Sequence, residues 1–117
     1  MPYVDGFLLS IPKDKTDAYR AQAEQAGAVW REHGALSYVE CIADDVPYGD
    51  VTSFPRAVQA KEGEIVVFAW VTYPSRAARD ETMKKVMADP RIQMDPAATL
   101  FDPKLLIYGG FEVIVQI

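Results

Sequence analysis

Four extended segments and two helical ones alternate along this chain in the order strand, helix, strand, strand, helix, strand. YVDGFLLSI (3–11) is rich in aromatic and aliphatic residues and stops at Pro12, as a strand does. DKTDAYRAQAEQAGAVWREHG, from about 14 to 33, reads as a helix. Asp14 is placed to cap its start and Gly34 to end it, and Tyr19, Ala23, Ala26, Trp30 and His33 form one stripe at three- and four-residue steps. ALSYVECIA (35–43) is a second strand, and EIVVFAWVTY (64–73) carries the strongest strand signal in the chain. Pro74 ends it, Ser75 is a cap for a second helix over about 75–88, and LIYGGFEVIVQI (106–117) is the last strand. That order is the split βαβ pattern of an α+β, ferredoxin-like βαββαβ fold. It has a four-stranded antiparallel sheet with both helices on one face.

Side chains alternate across a strand, so each strand divides into two sets. One set, with Val4, Leu8, Val39, Cys41, Val67, Val71 and Val113, is small and apolar, and is expected to floor the helices. The other mixes aromatics with acids: Tyr3, Asp5, Phe7; Tyr38, Glu40; Phe68, Trp70; Tyr108, Glu112. An aromatic face without helices is larger than the apolar patches monomers tolerate. A second copy packed face to face, in a two-fold homodimer, would cover it.

The chain has 117 residues, which fits one domain spanning 1–117. It carries 17 Asp plus Glu against 12 Lys plus Arg, a net charge of −5, and has no basic run. Nucleic acid as a partner is therefore disfavoured, because its binding draws on clustered Lys and Arg. One cysteine forms no internal disulfide. The N-terminus lacks the pattern of a signal peptide, and no apolar run approaches the length of a bilayer crossing. A soluble, cytoplasmic protein without a membrane partner is expected.

The candidates for chemistry are the acids Asp5, Glu40 and Glu112, set in strand interiors among aromatics. A buried carboxylate must be paired, wet or protonated. Three of them suggest a concave, polar-lined cavity of the kind small molecules occupy. They are the acid–base candidates, with His33 as a further proton carrier. Tyr3, Tyr38, Phe68, Trp70 and Tyr108 are the substrate-binding walls, and Arg56 is the accompanying cation. The bland alternative puts the acids at an open rim, paired with arginines such as Arg20, Arg31 or Arg56. His33 and Cys41, eight residues apart, are not expected to form a thiolate–imidazole pair, since Cys41 is read as pointing into the helix-covered core. Asp44, Asp45 and Asp50 do not match a calcium loop, no histidine–carboxylate cluster argues for a metal, and no glycine loop argues for a nucleotide. No cofactor is expected. Gly109-Gly110 in a strand marks a bulge or a close backbone approach. The loop at 44–56 and the connection at 89–104, with its pairs Asp89-Pro90, Asp95-Pro96 and Asp102-Pro103, are candidates to cover a cavity mouth.

YVDGF (3–7), HGAL and YVEC (33–36, 38–41), ADDVP (43–47), TSFPRAV (52–58), VMADPR (86–91) and IYGGFEVIV (107–115) closely resemble the bacterial YbaA-like family, a domain of unknown function. The resemblance covers almost the whole chain. It implies the dimeric α/β-barrel superfamily, in which two ferredoxin-like sheets pair. That superfamily includes cofactor-independent monooxygenases, haem-degrading and isomerising enzymes and ligand-sensing modules, among which fold analogy does not choose. Three readings follow: a cofactor-independent enzyme acting on a small aromatic or planar molecule, a non-catalytic binding or sensing module using the same cavity, and a dimer whose aromatic face is interface only.

Overall fold

The computed structural model describes residues 2–92 and 100–117. Strand β1 (Tyr3–Pro12) leads through a 3-10 turn into helix α1 (Thr16–Glu32). Strand β2 (Ser37–Ile42), the short helix α2 (Phe54–Ala57), strand β3 (Glu64–Tyr73), helix α3 (Arg76–Ala88) and strand β4 (Ile107–Glu112) follow. The sheet order is β2-β3-β1-β4 with every neighbouring pair antiparallel. This is the α+β, ferredoxin-like arrangement expected from the order of segments.

The local signals act largely as anticipated. Ser75 Oγ accepts from the Ala78 amide and starts α3. Gly34, at φ +119, turns the chain out of α1. Asp14 does not cap α1: it lies in the preceding 3-10 turn, and the Thr16 hydroxyl instead donates to the Lys13 carbonyl. β2 and β4 are shorter than the apolar runs that signal them: among the described residues, beyond Ile42 and Glu112 only the Ala43 and Val113 amides still donate, to the Val66 and Pro2 carbonyls. The Asp95-Pro96 pair lies outside the described residues.

The register corrects the assignment of the two faces. Tyr3, Asp5, Phe7 and Leu9 stand opposite Tyr73, Val71, Ala69 and Val67, and Tyr38 and Glu40 stand opposite Val71 and Ala69. These residues therefore share the helix-covered face with the small side chains of β3. Phe68 and Trp70 share the other face with Val4, Leu8, Val39, Cys41, Ile107 and Phe111. Only β3 keeps the phase expected from the sequence; the other three strands are inverted.

The physical reason lies in α1. Its inner stripe is built from Ala23, Ala26 and Gly27, which leave room above the sheet for large rings. Phe7, Trp30 and Tyr38 occupy part of that room, packed against a core of Tyr3, Ala35, Val71 and Tyr73. Leu9, Ile11 and Val67 form a second cluster with Tyr19, Phe101 and Leu106. Cys41 accordingly lies opposite Phe68 on the helix-free face, not in the core beneath the helices.

The helix-free face stays substantially exposed, with Phe68 at 46% and Phe111 at 64%. The loop after β2 closes over one end of it through Phe54, which meets the edge of Phe68 at 6.0 Å between ring centres.

Gly110 marks a close approach. A Cβ there would fall 2.3 Å from an Arg79 nitrogen and 2.5 Å from the Tyr3 hydroxyl. Gly110→Ala is expected to cost about 1–3 kcal/mol by overpacking, read as a lower urea midpoint at unchanged m-value.

Candidate functional site

The acids, though all on the helix-side face, divide into separate environments. Asp5, only 6% exposed, accepts from the Tyr73 hydroxyl at 2.9 Å and lies 3.4 Å from Arg79 Nε. Trp30 Nε1 donates to the Tyr73 oxygen at 3.2 Å, and Arg79 Nη2 donates to the Tyr3 hydroxyl at 3.1 Å. This network joins α1, α3, β1 and β3, and the Arg79 guanidinium also lies over the Tyr3 ring. Burial, reinforced by the Asp5 charge, pushes the Tyr73 phenol well above its ordinary pKa, so it serves as a donor. With its oxygens committed in this way, Asp5 ties the core together.

Glu40 is different. Its Oε1 accepts from the Tyr19 hydroxyl in a short contact, and its Oε2 accepts from the Tyr38 hydroxyl at 2.6 Å. Burial first, and the adjacent carboxylate second, hold both phenols far above the usual tyrosine range. They are fixed hydrogen-bond donors at neutral pH rather than proton sources. Among the described residues no lysine, arginine or histidine lies within ion-pair distance of Glu40.

Tyr19, Ala23, Tyr38 and Glu40 form a wall between two depressions. One, of about 470 Å³, lies between α1, the sheet and the chain around Phe101, and is lined by Phe7, Trp30, Ala69, Val71 and Leu106. The other, of about 710 Å³, opens along the β2 edge beside Arg20, Glu24 and Arg31. The first has the apolar lining and sparse polar groups typical of small-molecule sites. Trp30 and Tyr38 meet at 5.8 Å between ring centres, tilted by 45°.

Gly27 is what admits Tyr38. A Cβ there would stand 2.7 Å from the Tyr38 ring. Gly27→Ala gains up to about 1 kcal/mol of helix propensity but loses roughly 1–3 kcal/mol to overpacking. A net loss of stability is expected in urea unfolding. A shift of the Tyr38 ring resonances should accompany it.

The remaining candidates stand apart from Glu40. Glu112 and Tyr108 are exposed on the edge strand β4. Phe68 and Trp70 are on the opposite face and wall no site with the acids. Arg56 lies over the Tyr48 ring and donates to the Tyr48 and Gly49 carbonyls, organising its own loop. His33 forms the C-cap of α1, and its Nε2 contacts Asp89 Oδ2 at 2.9 Å. Among the described residues no group of His, Cys, Asp and Glu is arranged to hold a metal ion. Tyr19, Gly27 and Trp30 were not among the expected site residues. A glycine in the middle of an otherwise strong helix was the available signal for Gly27.

Asp89 also accepts from Arg91 Nε at 3.0 Å and from its backbone amide at 2.9 Å, and Arg91 reaches Glu32 as well. The Arg91 contacts, then the His33 contact, hold the Asp89 carboxyl well below the ordinary carboxylate range. A depressed native pKa makes its contribution fully present above about pH 4 and lost progressively as pH falls below that. Asp89→Asn is expected to flatten this acid limb in urea unfolding measured as a function of pH.

Residues 2–103 match the family described as "Protein of unknown function (DUF1428)". The chain belongs to that family. It is 51% identical over 116 residues to the "Uncharacterized protein YbaA" of Escherichia coli K12, covering 99% of each chain, and the protein of the same name from Shigella flexneri matches equally. A solved structure described as a dimeric ferredoxin-like protein from an uncultured marine organism superposes with a TM-score of 0.61. It is 11% identical and covers all of both chains. At that identity the likeness concerns the fold. No described helix is long and apolar enough to cross a membrane.

Proposed function

We propose that this member of the family is a homodimer that binds a small, flat molecule in the cleft beneath α1. The observation that carries the reading is Glu40, a carboxylate oriented by two phenols at the wall of an aromatic cleft. These hydrogen bonds tie α1 to β2 and also hold the carboxylate in a fixed orientation beside the cleft, as a site for a polar ligand group requires. Binding is favoured over catalysis because Asp5 and His33 are committed to other partners, and because the phenols beside Glu40 are too weakly acidic to donate a proton.

The homodimer rests on the helix-free sheet face. Leu8, Val39, Trp70 and Phe111 give it an apolar character, and among the described residues only the short α2 reaches it, at one end through Phe54. The description of the ferredoxin-like neighbour as dimeric supports the same assembly. In this reading the ligand cleft and the dimer face lie on opposite sides of each sheet.

Native mass spectrometry of freshly purified protein, followed by a denaturing run, tests the binding reading. An adduct released on denaturation, and absent from an Ala26→Phe variant that fills the cleft, is expected. A chain with no adduct that also binds none of a set of neutral and charged two-ring aromatic compounds would overturn it.

A further inference from the structure

Among the described residues Glu40 has no counter-ion, although the neighbouring depression contains cations. Arg20 is turned to Asp17, and Arg31 donates to the carbonyls of Ala35 and Leu36. At the border of the aromatic cleft, Arg91 is engaged by both Asp89 and Glu32, so that three-residue group is itself net negative. The Tyr19 and Tyr38 phenols donate to Glu40 but bring no charge. A half-buried carboxylate stabilised only by neutral donors is electrostatically incomplete, and a cationic group brought by a ligand completes it.

The rings beside it suit the same charge. Phe7, Trp30 and Tyr38 line the cleft, and the Trp30 indole N–H is already engaged by Tyr73. Aromatic rings attract ammonium and amidinium groups, and the apolar lining accepts a flat hydrocarbon body.

We infer that the cleft selects a small aromatic or alicyclic amine, its protonated nitrogen received by Glu40 and its body held between Trp30, Tyr38 and Phe7. This rests on the binding reading above and adds the charge of the ligand. A carboxylate ligand is disfavoured at the same place by Glu40 itself.

Calorimetric titration of the full chain with three matched probes tests it: 1-naphthylmethylamine, 1-naphthylmethanol and 1-naphthylacetate. The amine is expected to bind at least ~10-fold more tightly than the acetate, the scale of one charge-assisted hydrogen bond. Glu40→Gln, which keeps the shape and an acceptor, should remove that preference while leaving the affinity for the alcohol nearly unchanged. Equal affinity for all three probes, or a preference that survives Glu40→Gln, would overturn the charge selection and leave the cleft as a binding site. Binding of none would remove both the selection and its basis in this cleft. Glu40→Gln must show the wild-type circular dichroism spectrum; should it fail to fold, the salt dependence of binding to the wild-type chain asks the same question, since added salt should weaken the amine and leave the alcohol nearly unchanged.

Discussion

Asp5→Ala is expected to lower the stability of the folded chain by about 3 kcal/mol, at the low end of the range for breaking a buried ion pair. Asp5 is almost wholly buried, and its carboxylate lies 3.4 Å from Arg79 Nε, a buried nitrogen without a hydrogen-bond partner among the described residues. Removing it strands the guanidinium beneath the helices and leaves the Tyr73 hydroxyl without its acceptor. The low end applies because the Arg79 side chain keeps 23% of its exposure and a second contact to Asp80, so water and that carboxylate soften the loss. Urea unfolding at unchanged m-value measures the effect. The companion double variant Asp5→Leu with Arg79→Met separates an uncompensated charge from lost packing. It should recover much of the loss, since apolar replacement of a whole buried pair is often nearly neutral. If the double variant is as unstable as Asp5→Ala, the cost comes from the Tyr73 and Trp30 side of the network instead.

Asp5 also illustrates what was legible before the structure. That it occupies a strand interior, among aromatics and in need of a partner, followed from the pattern YVDGF alone. The order of elements, the bounds of β3, the Ser75 cap and the Gly34 exit were equally local, each decided by residues within one turn. Which way β1, β2 and β4 face was not local. Alternation gives two sets per strand but no sign, and the sign depends on the volume that α1 leaves open. The small residues Ala23, Ala26 and Gly27 were visible in the sequence, yet their complement to the rings of Phe7 and Tyr38 exists only once the helix lies on the sheet. The same inversion took Phe68 and Trp70 out of the candidate site. Glu40 stayed with Tyr38 because the two lie on one strand two residues apart, whereas Tyr19 joined them from α1, a contact spanning 21 positions that no spacing rule indicates.

Phe111→Glu is expected to convert the proposed dimer to a monomer, with the dissociation constant rising at least ~100-fold. Phe111 is on β4, pointing away from both helices, and its ring lies across Gly6 and Gly109, where neither glycine offers a side chain to pack around it. In the isolated subunit it is 64% exposed, so a glutamate there meets water and should cost the fold little. In a two-fold interface the same substitution occurs twice. Each copy places a carboxylate among Leu8, Phe68 and Ile107 or their equivalents, without a counter-ion. Two such penalties of several kcal/mol each exceed what a modest interface supplies. Sedimentation equilibrium at micromolar concentration reads the result directly. The wild type should give twice the 13.0 kDa chain mass and the variant 13.0 kDa, with closely similar urea midpoints once the wild type is diluted to monomer. A wild type that is already monomeric would remove the dimer from the proposal while leaving the cleft beneath α1 intact, because Glu40, Tyr19 and Tyr38 all belong to one chain and lie on the opposite face of the sheet.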